Sequence, residues 1–144
     1  MSFLNTLNIA GSALTAERFR TDIILQNLAN INTTMTPAGT PYRRQQVVFQ
    51  ERGINFKDTL KNERYKLNGG GVRVSQVVEN QSEFIPVYNP THPHADENGY
   101  VMMPNVNRAE ETIDLMAATR AYESNLTALK VIQSMATKAL EIGR

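Results

Sequence analysis

A mainly α-helical chain with a small β insertion is the fold class this sequence predicts, and three observations predict it. Apolar residues recur at spacings of three and four near the start, from Phe3 to Ile31, and again near the end, from Leu115 to Leu140. The stretch between them is richer in β-branched residues and is cut by glycines and prolines. The predicted architecture is therefore a pair of long N- and C-terminal helices packed as a coiled-coil-like layer, with a small β-rich body between them. By residue number, the terminal helices occupy 1–32 and 107–144, a linker or hinge 33–45, and the β-rich body with its irregular loop 46–106.

The first helix is read from Phe3, Leu7, Ala10, Leu14, Ile24, Leu28 and Ile31. A repeat near 3.5 residues favours a coiled-coil seam over a strand. Glu17 and Thr21 interrupt the stripe, and Gly11 weakens the helix by about 1 kcal/mol relative to alanine. Gln26, Asn27, Asn30 and Asn32 crowd its end, where asparagine is a poor helix former. Two readings stand side by side: fraying into the loop, or amides that fix register between packed helices. The chain then passes Pro37, Gly39 and Pro41 before Tyr42, Arg43 and Arg44. A catalytic loop, a nucleic-acid contact and a hinge are the alternatives for this stretch.

In the body, Gln46 to Glu51 and Val72 to Val78 read as strands, with Val72 and Val74 alternating with Arg73 and Ser75. Asn68-Gly69-Gly70-Gly71 permits a tight turn before the second of them. Glu83 to Tyr88 is a third strand, limited by Pro86 to an edge or a bend. Asn89 to Pro104, with Pro90, Pro93, Gly99 and Pro104, reads as a long irregular connection. The last helix opens at Asn107 as N-cap, with Glu110 as its capping-box partner and Glu111 and Asp114 complementing the positive helix end. Leu115, Tyr122, Leu126, Leu129, Ala136 and Leu140 form its stripe, with Thr119 and Gln133 as polar members. Lys138 suits the last turns, and Gly143 supplies a stop.

The chain has 144 residues, enough for one modest domain, with 41% hydrophobic and 7% aromatic residues and no tryptophan. A net charge of +1 gives no electrostatic reason to expect nucleic acid or an acidic membrane surface. Without cysteine there are no thiolate metal sites, disulfides or cysteine nucleophiles. The start lacks a basic n-region and a cleavage site, which argues against a cleaved signal peptide. Apolar runs fall far short of the roughly 18 residues that span a bilayer.

His92-Pro93-His94 followed by Asp96 is the one cluster of metal-ligand types, and a small metal-dependent hydrolase is the function it would serve. The pair sits in a Pro/Gly-rich loop with no third histidine in the chain, so solvent-exposed loop histidines are the better reading. No catalytic, cofactor-binding or metal residue is expected. The triple glycine lacks the Lys-Ser/Thr of a phosphate loop and runs into Val72-Arg73-Val74. Arg43 and Arg44 belong to no basic stripe.

Gln26-Asn27-Leu28-Ala29-Asn30-Ile31-Asn32-Thr33-Thr34 resembles the signature near the N-terminus of bacterial flagellar rod and hook proteins. Thr36-Pro37-Ala38-Gly39-Thr40-Pro41-Tyr42-Arg43-Arg44 is similar to the proximal-rod branch of that family, with Thr40 where a second glycine is usual. Val87-Tyr88-Asn89-Pro90, His92-Pro93-His94 and Gly99-Tyr100 resemble the block before its last helix, with Asn89 where aspartate is common. Ala118-Thr119-Arg120-Ala121-Tyr122-Glu123-Ser124-Asn125-Leu126 resembles the C-terminal helix shared by rod and hook proteins.

The resemblance implies a structural subunit of the proximal rod, exported unfolded by the flagellar type III apparatus without a cleaved signal. Its partners would be copies of itself, other proximal rod proteins, the distal rod protein and the rod-base adaptor, in a helical tube crossing the periplasm. The expected assembly surface comprises Phe3, Leu7, Leu14, Ile24 and Leu28, the amides of Asn27, Asn30 and Asn32, and Tyr42, Arg43 and Arg44. In the last helix it comprises Leu115, Arg120, Tyr122, Asn125, Leu126, Leu129, Gln133 and Leu140.

Overall fold

The structure, a computed structural model, describes residues 3–53 and 70–142. The Asn68–Gly69 half of the predicted turn, the Gly143 stop and the side chain of Phe3 lie outside the described residues. Helix α1 runs Phe3–Ala29, strand β1 Gln45–Glu51, β2 Val72–Glu79, β3 Ile85–Tyr88, β4 Tyr100–Met103, and helix α2 Arg108–Ile142. The strands form two two-stranded sheets, β1 with β2 and β3 with β4. No helix among the described residues is long and apolar enough to cross a membrane.

Helix α1 ends where its asparagines compete for the backbone. Asn30 N still donates to Gln26 O at 3.1 Å, but Thr33 N reaches only back to Asn30 O at 3.0 Å, a tighter turn. The Asn30 amide donates to Gln26 O (2.9 Å) and accepts from Thr33 Oγ1 (3.1 Å). Asn30 therefore closes the helix by satisfying a terminal carbonyl. The linker that follows is a closed loop. Tyr42 N donates to Thr33 O (3.1 Å), Thr36 N to Thr40 O (2.9 Å) and Gly39 N to Thr36 O (2.8 Å). Gly39 holds φ of 77°, which a Cβ disfavours.

Strands β1 and β2 run antiparallel, since Asn80 N donates to Arg44 O at one end and Arg52 N to Gly71 O at the other, both at 2.8 Å. Strand β4 corrects the sequence reading, in which Asn89–Pro104 was one irregular connection. Four residues between Gly99 and Pro104 are too few to display a period, and their strand character comes from pairing with β3. Ile85 pairs with Met103, Pro86 with Met102, Val87 with Val101 and Tyr88 with Tyr100. Asn89 N donates to Gly99 O (2.9 Å), which sets Pro86 at a non-hydrogen-bonded pair, where its missing N–H costs nothing.

Two compact units divide the chain, and the division falls inside both helices. The first comprises Met1–Phe19, Val48–Gln76 and Ala118–Arg144, the second Arg20–Val47 and Val77–Ala117. In the second unit Ile23, Ile24, Tyr42, Val101, Pro104 and Val106 are buried, as are the polar Asn27 and Glu111. In the first, Ser12 of α1 seats the start of β2. Its Oγ donates to Ile9 O (2.8 Å) and accepts from Val72 N (3.0 Å). Gly71, at φ of 82°, lies so close that a Cβ there would overlap Ser12 Oγ. Gly71→Ala is expected to destabilise the chain by about 1–3 kcal/mol, from left-handed strain added to the clash. Urea unfolding checks this, and an unchanged midpoint would show that Ser12 and Gly71 do not meet.

Candidate functional site

The second unit is organised around one amide. Asn27 sits on the face of α1 shared with Ile23 and Ile24, and is 1% exposed. Its Nδ2 donates to Gln45 O (2.8 Å) and to Glu111 Oε2 (3.0 Å). Its Oδ1 accepts from Tyr42 O–H (2.9 Å) and from Gln45 N (3.0 Å). Two donors and two acceptors are the full capacity of the group. Asn27 thereby ties α1 to the end of the linker, the first residue of β1 and the first turn of α2.

Glu111, also 1% exposed, is placed there by the cap of α2. Asn107 Oδ1 accepts from Ala109 N (3.0 Å), and Asn107 O accepts from Glu111 N (3.0 Å). Glu110 is engaged differently from a capping box: its Oε1 accepts from the Asn107 side-chain amide at 3.4 Å. Glu111 Oε1 accepts from Arg44 Nε, while its Oε2 holds Asn27. Arg44 Nη2 reaches Asp114 Oδ2 at 3.0 Å, Nη1 lies 3.8 Å from Glu110 Oε2, and Arg20 Nη2 lies 3.6 Å from Asp114 Oδ1. A buried carboxylate so paired adds little net stability, but it penalises any other arrangement of the same elements.

Tyr42 is 8% exposed. Desolvation, then the negative charges of Glu111 and Glu79, raise its pKa above the ordinary 10.0, so it stays a neutral donor toward Asn27. Arg43 turns elsewhere: its Nη1 donates to Asn80 O (3.3 Å) and Ser82 O (3.4 Å), and its guanidinium lies 4.4 Å from the Phe84 ring centroid. Asn105 completes the frame. Its Oδ1 accepts from Arg44 N (2.8 Å), and its Nδ2 donates to Ser82 Oγ (2.8 Å) and Asn80 O (3.0 Å).

Of the residues singled out from the sequence, the network gathers Asn27, Tyr42 and Arg44, with Ile24 buried beside them. Asn30 closes its own helix, and Asn32 is exposed. Leu7, Leu14, Leu28, Leu115, Asn125, Leu126 and Leu129 are half-buried, whereas Arg120, Tyr122, Gln133 and Leu140 are exposed. Within the chain, Ala118 is buried and Ala121, Asn125, Ile132 and Ala136 are half-buried on α2 beside Leu115, Leu126 and Leu129 of the predicted stripe. The sequence reading gave Glu111 and Asp114 only a role at the helix terminus and gave Asn105 none. Three carboxylates at 110, 111 and 114 beside the lone Arg108 were the available signal for a cation from elsewhere.

The arrangement is saturated. Both Glu111 oxygens and every polar position of Asn27 are engaged, so the network offers positioning and no open valence for a substrate. The loop histidines are likewise engaged in local contacts. His94 N donates to His92 Nδ1 (3.1 Å), His94 Nδ1 lies 3.0 Å from Thr34 Oγ1, and the two rings meet edge-on at 5.3 Å. Among the described residues, no three histidine, aspartate or glutamate side chains come together as a metal site would require.

Residues 7–34 match the family model described as flagella basal body rod protein, and residues 97–142 match that of the flagellar basal body rod FlgEFG protein C-terminal region. The chain is 42% identical to the flagellar basal-body rod protein FlgC of Bacillus subtilis, across 100% of both chains. It is 41% identical to the protein of that name from Salmonella typhimurium, again across 100% of both. With that of Borreliella burgdorferi it is 40% identical, over 99% of this chain and 98% of the relative.

Proposed function

This chain belongs to the family of flagellar basal-body rod proteins FlgC, and from that premise we infer that it is a structural subunit of the rod in the bacterial flagellar basal body. The observation that carries the reading is the full-length likeness, which includes both terminal helices and the Asn27 and Tyr42–Arg44 segments between which the polar network forms. In finer terms, the chain is a proximal-rod subunit that polymerises with copies of itself and with other rod proteins, among them the distal rod protein and the rod-base adaptor. Segments 1–32 and 107–144 form the inner assembly layer, 33–45 the linker and 46–106 the outward body. The rod crosses the periplasm, and the subunit reaches it through the type III export apparatus without a cleaved signal.

A rod that transmits torque needs subunits whose elements do not slip past one another. The saturated contacts of Asn27, Glu111 and Arg44 suit that requirement, because any shift of one element leaves a buried polar group unpaired. Exposed apolar side chains on α2, among them Ile113 at 65% and Met135 at 66%, suit a helix that is covered by neighbours. Deleting the gene in its own host tests the reading. The expected result is loss of swimming and of assembled hooks, with the chain found in wild-type basal bodies by mass spectrometry. Intact basal bodies without the chain overturn it.

The loop histidines play no part in this function. His92→Ala combined with His94→Ala is expected to leave swimming within about twofold of wild type, with no stoichiometric metal in either purified chain. Loss of swimming together with loss of a bound metal would give the loop a chemical role.

A further inference from the structure

The two faces of the β3–β4 hairpin differ. Alternation along the strands puts Ile85, Val87, Val101 and Met103 on one face, which contributes the buried Val101 and the half-buried Met103 to the second unit. Pro86, Tyr88, Tyr100 and Met102 share the other face, and all four are exposed. They form the two non-hydrogen-bonded pairs of the ladder, in which facing side chains come closest. Tyr88 is 65% exposed and yet held, its ring meeting that of Tyr100 edge-on at 5.4 Å. A Cβ on Gly99 would lie 3.0 Å from Tyr88 Cε2 and 3.2 Å from Pro90 Cβ, so the bare glycine, at φ of 79°, lets the ring and the proline close over the turn. An aromatic ring fixed beforehand loses little freedom when a partner covers it.

The same hairpin is one-sided in charge. From Asn80 to Asn107 the chain carries Glu83, Asp96 and Glu97 and neither lysine nor arginine. Among the described residues none of these three carboxylates forms an ion pair. Arg43, the cation packed beside Phe84, is held by the carbonyls of Asn80 and Ser82, before β3 begins. Asp96 and Glu97 lie at the opposite end, in the turn next to the tyrosine pair. Gly99 N donates to Asp96 O and Asp96 N to Tyr100 O, both at 2.8 Å. Pro86 leaves the outer edge of β3 without a donor, so that strand offers a partner its face and not its edge.

We propose that this face is a docking surface for a basic segment of another protein, which lays an arginine or lysine on the Tyr88–Tyr100 pair and its apolar neighbours against Met102 and Pro86. The ring faces attract the cation, and Asp96 and Glu97 supply the opposite charge. A neutral or acidic segment gains neither, so the surface discriminates by charge as well as by shape. The proposal stands on the geometry of the hairpin and does not depend on the reading of the chain as a rod subunit.

Titration of the full, dilute chain with two synthetic peptides, one alternating arginine and valine and the other glutamate and valine, tests this by amide NMR at low salt. The arginine peptide is expected to shift the amides of Tyr88, Tyr100 and Met102, and the glutamate peptide to leave them in place. Added salt should weaken the binding. Tyr88→Leu, which keeps an apolar side chain, is expected to weaken it at least ~2-fold, and Asp96→Asn combined with Glu97→Gln at least ~5-fold. Asp96→Lys combined with Glu97→Lys is expected to turn the preference toward the glutamate peptide. Equal shifts with both peptides, shifts confined to residues outside the hairpin, no shift at all, or unchanged affinity in the carboxylate variant each overturn the proposal. Shifts of the same amides that grow with chain concentration in the absence of peptide also overturn it, because they make a second copy the occupant. Should a variant not fold, the two peptides on the wild-type chain decide alone. Failure of the gene deletion to abolish swimming would leave these titrations untouched, so the two readings fail separately.

Discussion

Glu111→Ala is expected to lower the stability of the free chain by about 3–5 kcal/mol, because it removes one partner of a buried, hydrogen-bonded ion pair. The substitution leaves Arg44 Nε without its acceptor and one of the two Asn27 Nδ2 protons unpaired, the other still on Gln45 O, in a side chain 13% exposed and in a residue 1% exposed respectively. Asp114 continues to hold the other face of the guanidinium at 3.0 Å, which draws the effect toward the lower end. Against a usual total of about 5–15 kcal/mol, such a loss leaves the second unit marginal. Glu111→Gln should fall between, at about 1–3 kcal/mol. Both oxygens of Glu111 receive donors, so an amide necessarily turns its own NH2 group toward one of them. Glu110→Ala is the control. Its carboxylate is 61% exposed and 3.8 Å from Arg44, and exposed pairs contribute about 0–1 kcal/mol. Urea unfolding of the three variants decides the matter. Equal costs for Glu111→Ala and Glu110→Ala would show that the buried network does not organise the fold.

What the sequence made legible follows from the range of the forces involved. The cap at Asn107, the closing of α1 near its asparagines and the strands β1 and β2 depend on residues within a few positions of one another, and all were readable. Of the four amides at the end of α1, the two readings offered turned out to be divided among individuals. Asn30 makes a local turn, Asn27 keys separate elements, and Gln26 and Asn32 are exposed. No local rule separates Asn27 from Asn30. The distinction is made by Tyr42, Gln45 and Glu111, the last of them 84 residues away along the chain. The same reason hid Glu111, which reads as an ordinary acidic residue in a first helical turn until Arg44 is placed against it. Strand β4 was missed because its partner, and not its own four residues, makes it a strand. On α2, Ala118 and Ala121 went unmarked because alanine carries weak hydrophobic weight in a pattern yet allows close packing.

Either Val131→Glu or Met135→Glu is expected to abolish incorporation into the rod while leaving the free chain almost unchanged. Ser124, Ala128, Val131 and Met135 follow one another at spacings of four, three and four on an exposed side of α2, a different side from its packed stripe. That spacing is a helix-packing seam, and nothing within the described chain covers Val131 or Met135, which are 50% and 66% exposed. In the free chain the introduced carboxylate stays in water on a good helix former, so stability should move by no more than about 0.5 kcal/mol. In the rod, a neighbouring apolar helix would strip its hydration at a cost of several kcal/mol. Each 1.4 kcal/mol is tenfold in affinity, so even about 3 kcal/mol weakens each contact more than a hundredfold. The same loss recurs at every copy. Leu129→Asp is the comparison: Leu129 is half-buried within the chain, so it should destabilise the free chain and the rod together. Swimming in soft agar and blots of purified basal bodies read the assembly, and urea unfolding reads the free chain. Normal swimming with either glutamate would mean that this side of α2 faces water in the rod. Equal damage to the free chain would mean that the helix is already packed along that side before any neighbour arrives.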